Sequence, residues 1–138
     1  MCIRDRITVN DFDKSSALRH ARSLHRMGFN IYATKGTAEF LNRANIPVTT
    51  VGKVSDHGDR SFSTVGLIEA GKIGLVINTP LGQQSYIDGH DLRSAAIKHN
   101  VPILTTLSAT QAAITGIKAL REEALTVRSL QDHYAKTA

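Results

Sequence analysis

Short apolar runs alternate along the chain with segments whose apolar residues recur at helical spacing. The β-branched run at 7–9 (ITV) predicts a first strand, closed by Asn10 and Asp11. Asp13 then stands where a helix N-cap is expected. Ala17, Leu18, Ala21, Leu24 and Met27 follow at helical spacing, and Gly28 stops the run. A second strand is predicted over 29–33. Thr34, Lys35, Gly36 and Thr37 read as a tight turn into a helix that carries Ala38, Phe40, Leu41 and Ala44. Residues 46–51 are mostly apolar but broken by Pro47, which predicts a short strand near Val48. Residues 52–61 (GKVSDHGDRS) form the longest polar stretch and read as a loop.

Helical spacing returns over 62–70 and closes on Gly71. The nearly continuous apolar run at 73–77 (IGLVI) is the pattern of a central parallel strand covered on both faces. A second polar loop is predicted over 78–89 (NTPLGQQSYIDG), then a helix over 91–99 that buries Leu92, Ala95 and Ala96. Residues 101–104 predict the last main strand, and Ser108 an N-cap for a helix through Leu120. Beyond Glu123 the pattern changes. Leu125, Thr126 and Val127 predict a small extra strand, and 129–132 (SLQD) the start of a short helix.

Strand and helix thus alternate about five times. That order implies an α/β fold with parallel pairing, right-handed crossovers and helices on both faces of the sheet. The 138 residues suit one domain with one core. No internal repeat or low-complexity segment interrupts them.

Composition narrows the function. The formal charge of +5 favours anionic ligands or partners, but no Lys/Arg block exists and only 5% of residues are aromatic, so nucleic acid is not the expected partner. The single cysteine, Cys2, cannot form an internal disulfide or a cysteine-based metal site. No apolar run reaches the roughly 18 residues of a membrane span, and 1–6 (MCIRDR) has no signal-peptide core.

In an open parallel sheet, ligands bind beyond the carboxyl ends of the strands. The predicted ends carry Asn10 and Lys14 after the first strand, and Thr34-Lys35-Gly36-Thr37 after the second. Lys53 follows the third, Asn78-Thr79 the fourth and Thr105-Thr106 the fifth. Hydroxyls, amides and ammonium groups therefore gather at one edge. Backbone N–H groups at a strand-to-helix turn favour an anion, Gly36 admits a close approach, and Lys14 and Lys53 supply point charges. Each piece alone has a plainer explanation in capping or surface solvation. Together they predict a site for a small phosphorylated molecule. Other groups carry less. The six histidines lack metal-ligand spacing with cysteine, His20 and His25 are expected to face solvent, and His57 between Asp56 and Asp59 reads as loop polarity.

The segments ITVNDFDK, YATKGTAEFL, INTPLG and LTTLSA, in this order, resemble the methylglyoxal-synthase-like domain of carbamoyl phosphate synthetase large subunits, and the tail LTVRSLQDHY resembles the end of that subunit. The resemblance runs from about Ile7 to the end. It implies a three-layer α/β/α sandwich around a five-stranded parallel sheet, with the domain at 7–124, the large subunit's tail at 125–138, and 1–6 as an artefactual or disordered leader. It also implies a regulatory domain without chemistry of its own. Such a domain binds a UMP- or IMP-like nucleotide monophosphate and tunes carbamoyl phosphate synthesis for the pyrimidine and arginine pathways in the cytoplasm. By motif, Lys14, Thr34, Gly36 and Thr37 contact phosphate. Lys53, Asn78 and Thr79 complete the pocket, and Thr8 falls where some members place a hydroxyl near the ligand. Pro80 stands where some members have a further threonine. The implied partners are the remainder of the large subunit and the glutaminase small subunit. ATP, Mg or Mn, and K belong to the synthetase domains, with no cofactor, metal or catalytic residue in this one.

Two related enzymes share the fold. A methylglyoxal synthase acting on dihydroxyacetone phosphate needs a G-G-D-Q-Q motif, where this chain reads DRSFS at 59–63. Its H-D-P-D element survives only as an isolated match at Asp88. The inosine-monophosphate cyclohydrolase half of a purine-synthesis enzyme fits the tail and the ITVNDFDK start less well. A nucleotide-binding module without catalysis is the remaining alternative.

Overall fold

The computed structural model describes residues 4–9, 13–52, 62–79 and 83–135, with side chains outside 4–9, 83–88 and 133. Five parallel strands form one sheet: β1 (Arg4–Val9), β2 (Asn30–Thr34), β3 (Val48–Val51), β4 (Leu75–Thr79) and β5 (Ile103–Leu104). Their order is β3-β2-β1-β4-β5. Between them run α1 (Lys14–Arg26), α2 (Lys35–Arg43), α3 (Thr64–Glu69) and α4 (Gln83–Lys98), with α5 (Leu107–Glu122) and α6 (Leu130–Ala135) after the last strand.

Two apolar layers sandwich the sheet. On one face Ala17, Ala21 and Leu24 of α1, Leu41 of α2 and Ile114 of α5 pack on Ile31 of β2 and on Leu75 and Ile77 of β4. On the other, Leu67 and Ile68 of α3 and Leu92 and Ala95 of α4 pack on Val51 and Val76. Successive strand residues point to opposite faces, so one strand feeds both layers. All five residues of β4 are buried. The apolar run at 73–77 predicts this strand two residues early: Ile73 and Gly74 precede it, and Asn78 and Thr79, expected to open the following loop, are its last two residues.

The first four helices hand over to the following strands by one device. Gly28, Asn45, Gly71 and Asn100 take φ of 86°, 60°, 65° and 54°. After each, a backbone N–H bonds five residues back: Phe29 to Leu24, Ile46 to Leu41, Lys72 to Leu67 and Val101 to Ala96, at 2.8–3.1 Å. This is the left-handed C-terminal closure that glycine favours and asparagine tolerates. The two glycines were legible as helix stops. The two asparagines carry the same signal more faintly.

The elements depart from the sequence pattern at several points. β1 starts at Arg4, because backbone pairing of Arg4 with Asn30 and of Asp5 with Leu75 extends it through a segment without apolar residues. Residues 4–6 of the expected leader are thus strand. Most of the loop expected over 78–89 is helix: α4 begins at Gln83, eight residues before Asp91. Its first half carries almost no apolar signal. α5 is capped by Thr106, not Ser108, with the Thr106 hydroxyl accepting from Ala109 N–H at 3.1 Å. Asp13 is the N-cap residue of α1 by position, but its side chain makes no capping bond. The strand expected at 125–127 is absent. Leu125 and Val127 are 78% and 95% exposed and pair with no strand of the sheet.

Candidate functional site

In this strand order β1 lies between β2 and β4. The chain builds outward first to β3 and then returns to build β4 and β5. The crevice opens where the order reverses, beyond the carboxyl ends of β1 and β4. The register sets the residues there: Thr8 pairs with Asn78 and Val9 with Thr79. On the β2 side, Ile7 pairs with Ala33, one residue before Thr34.

One flank of the crevice is built by α1 and α2. Thr34 is the extended residue that precedes α2, with φ −67° and ψ 156°. It is buried but does not cap the helix with its side chain. The expected turn at 34–37 is therefore a direct strand-to-helix step that places Gly36 and Thr37 in the first turn. The N–H groups of such a turn have no partner within their own helix. Thr37 is buried against the core side, and Gly36 is exposed. Lys14, the first residue of α1, brings its ammonium across this turn: its Nζ lies 3.7 Å from where a Cβ on Gly36 would sit. A cation and a helix N-terminus thus meet at the sheet edge, both favourable to an anion.

The opposite flank is built by β4 and α4. Asn78 and Thr79 are 6% and 7% exposed. Among the described residues the Nδ2 of Asn78 is buried and has no hydrogen-bond partner. Gly89 of α4 packs over it, and Arg93, one helical turn on, reaches the same place. Sequence reasoning missed Gly89 and Arg93. Their i, i+4 relation means nothing until residues 83–98 are known to be helical.

Lys53 lies outside the described residues, as do Asn10, Pro80 and the Asp56–His57–Asp59 group. The stem of that segment is fixed, since Gly52 N–H bonds Phe62 O at 3.2 Å and the Thr64 hydroxyl bonds Gly52 O at 3.4 Å. Gly52, the last described residue before it, follows the carboxyl end of β3. Thr8 is placed by its backbone only, as is Asp88 within α4. Thr106 is taken up by capping α5.

His25 is exposed as expected, but His20 is buried at 4% exposure on the core side of α1. Burial, helped by neighbouring Arg19, pushes the His20 imidazole below its ordinary value. Among the described residues no group of three or more His, Cys, Asp or Glu is placed to hold a metal ion, and no helix is long and apolar enough to cross a membrane.

The strand order defines a doubly wound α/β domain with Lys14 and the first turn of α2 beside its switch point. Residues 16–105 match the family model of the MGS-like domain, and the chain belongs to that family. Its relatives include the carbamoyl phosphate synthase large chain of Streptomyces coelicolor, 44% identical over 133 residues, covering 94% of this chain and 12% of the relative. That of Gemmatimonas aurantiaca is 45% identical, covering 91% and 11%. The C-terminal section of the large chain of Methanopyrus kandleri is 42% identical, covering 91% and 23%. The chain therefore spans about an eighth of the full-length large chains it resembles. Among solved structures, methylglyoxal synthase from Elizabethkingia anophelis superimposes with a TM-score of 0.63 at 18% identity, covering 82% of this chain and 76% of that one. ForH gives 0.61 at 19%, covering 87% and 79%. These two likenesses establish the α/β fold.

Proposed function

We propose that this chain is the regulatory domain of a carbamoyl phosphate synthase large chain and binds a nucleotide monophosphate, UMP- or IMP-like, in the switch-point crevice. The observation that carries the reading is the Lys14 ammonium laid over the first turn of α2. There the phosphate would meet a positive charge together with backbone donors that have no partner within their own helix. Thr34 and Thr37 line that turn, Asn78 and Thr79 bound the far side, and Thr8 and Lys53 join from β1 and the end of β3.

The chemistry would then lie in parts of the large chain that this chain does not span, with their ATP, Mg or Mn, and K. The domain would act with those parts and with the glutaminase small subunit, in the cytoplasm, to set carbamoyl phosphate output for pyrimidine and arginine synthesis. Regulation of that kind requires a second site and two states, so the effector site here is one half of the device. A surface for the other half is available: Leu125, Val127, Leu130 and Tyr134 are 70–95% exposed along the C-terminal segment. Exposed apolar area of this kind is what contacts with the remainder of a long chain cover.

Calorimetric titration with UMP, IMP and dihydroxyacetone phosphate tests the reading. Saturable nucleotide binding is expected, with Lys14→Ala weakening it about tenfold or more, as loss of a charge-assisted contact does. No methylglyoxal should form from dihydroxyacetone phosphate. Turnover of that substrate would make the chain a lyase, and silence toward both nucleotides would remove the effector role from the isolated domain.

A further inference from the structure

The helical layer of α1, α2 and α5 concentrates the chain's positive charge. These helices carry eight of its seventeen Lys and Arg residues but two of its twelve Asp and Glu residues, which leaves nine against ten everywhere else. All three pack on the same face of the sheet. On α2 the signs alternate one turn apart, in Lys35, Glu39 and Arg43, and on α5 Lys118 stands four residues before Glu122. Arg121 is taken up by Met27 O and the Phe29 ring. α1 differs. It has no acidic residue, and Arg19, Arg22 and Arg26 recur at the i, i+3, i+7 spacing of one helix face. At about 100° per residue that face lies opposite the buried Ala17, Ala21 and Leu24. All three arginines are exposed, and no described residue forms an ion pair with them. Like charges at this spacing weaken a helix. A cation in the last turn answers the helix dipole, which accounts for Arg26 but not for Arg19 and Arg22 in the middle of α1. Packing within the described fold therefore gives the row no use.

The surroundings select the partner. No aromatic residue of α1, α2 or α5 is exposed to stack on a base. No apolar residue of α1 is exposed to enter a bilayer. A second copy brings the same formal charge of +5, and its other surfaces are close to neutral in sum. Guanidinium groups grip carboxylates through two parallel hydrogen bonds. The row extends about 10 Å along α1, and carboxylates repeating once per turn on another helix advance by the same rise. We propose that the outer face of α1 docks an acidic helix of another polypeptide, whose carboxylates pair with Arg19, Arg22 and Arg26. The surface is independent of the nucleotide reading.

The probe is a fluorescein-labelled, alanine-based peptide of about 20 residues, long enough to be helical alone, with Glu once per turn on one face. A second peptide has the same composition with its Glu residues dispersed around the helix. Fluorescence anisotropy follows both against the wild-type chain, the triple variant Arg19→Gln/Arg22→Gln/Arg26→Gln and the control Arg128→Gln, and melting temperatures are recorded. The one-face peptide should bind wild type and Arg128→Gln alike, and the triple variant about tenfold more weakly or worse. Its binding should weaken as salt rises, and the dispersed peptide should bind wild type at least about fivefold more weakly. The triple variant should melt at an equal or higher temperature, because repulsion along α1 is relieved. That combination separates a docking role from a structural one. No binding of the one-face peptide, equal binding of the two peptides, or equal binding by wild type and triple variant overturns the proposal. A large fall in the variant's melting temperature also overturns it, by placing the arginines in the fold's own packing. Tighter, row-dependent binding of oligo-dT or of phosphatidylserine vesicles overturns it in favour of nucleic acid or a membrane surface.

Discussion

His20 shows how little a single residue discloses before its surroundings are known. On a helix otherwise rich in Arg and Ser it reads as solvent-facing, yet it shares the buried face with Ala17, Ala21 and Leu24. A buried imidazole favours its neutral form, and Arg19 adds to that preference. The unfolded chain protonates His20 near its ordinary 6.5, while the folded chain resists protonation to lower pH. Stability from this group is therefore complete above that pH and falls as pH drops through it, until the folded imidazole also protonates. Urea titrations across that interval should show stability declining with pH, and His20→Gln should lose part of the slope. An unchanged slope in the variant would assign the decline to other groups. Lys14 is the opposite case, since its type and place after the first strand were legible. Its meeting with Gly36 was not, because the two are far apart in sequence and only the packing of α1 beside α2 joins them.

At the scale of elements, strands and helices were legible wherever apolar periodicity was strong and lost wherever it was not. α1 follows its pattern closely, whereas β4 keeps the apolar residues 75–77 but runs on through Asn78 and Thr79. The first half of α4 and the first half of β1 do not follow theirs; for β1, backbone pairing to β2 and β4 extends the strand where apolar residues are lacking. The helix exits make a sharper test. Asn100 closes α4 at φ 54°, a conformation costly for a residue with a Cβ unless its side chain is short and polar. Asn100→Ala should destabilise the chain by about 1 kcal/mol, and Asn100→Gly should be neutral or better. Thermal melting of the pair decides it. Equal melting temperatures for the two variants would mean that backbone strain at this exit is relieved elsewhere.

At the scale of the molecule, the core is complete before the C-terminal segment begins. α5 is joined back to the body by Arg121, which donates to Met27 O and lies 5.0 Å from the centre of the Phe29 ring. The residues that follow it are exposed throughout 123–132, and α6 is held locally, with Asp132 N–H bonding the Ser129 hydroxyl at 3.1 Å. Removing 125–138 should therefore leave the melting temperature within a few degrees, the range of a change below about 1 kcal/mol. It should also lower any self-association driven by Leu125, Val127, Leu130 and Tyr134. Calorimetric melting with light scattering reads both, and a large fall in melting temperature would make the segment part of the core.

The sequence by itself determined the fold class, the alternation of elements and most of the polar residues at the carboxyl edge of the sheet. These follow from local periodicity and from the rule that parallel strands offer ligands one edge. Only the tertiary structure decided the order β3-β2-β1-β4-β5, which makes β1 and β4 the crevice strands and pairs Thr8 with Asn78. Strand order and helix contacts join residues distant in sequence, so no local pattern encodes them. That is why Lys14 over Gly36, and Arg93 over Gly89 beside Asn78, emerged from the folded chain alone.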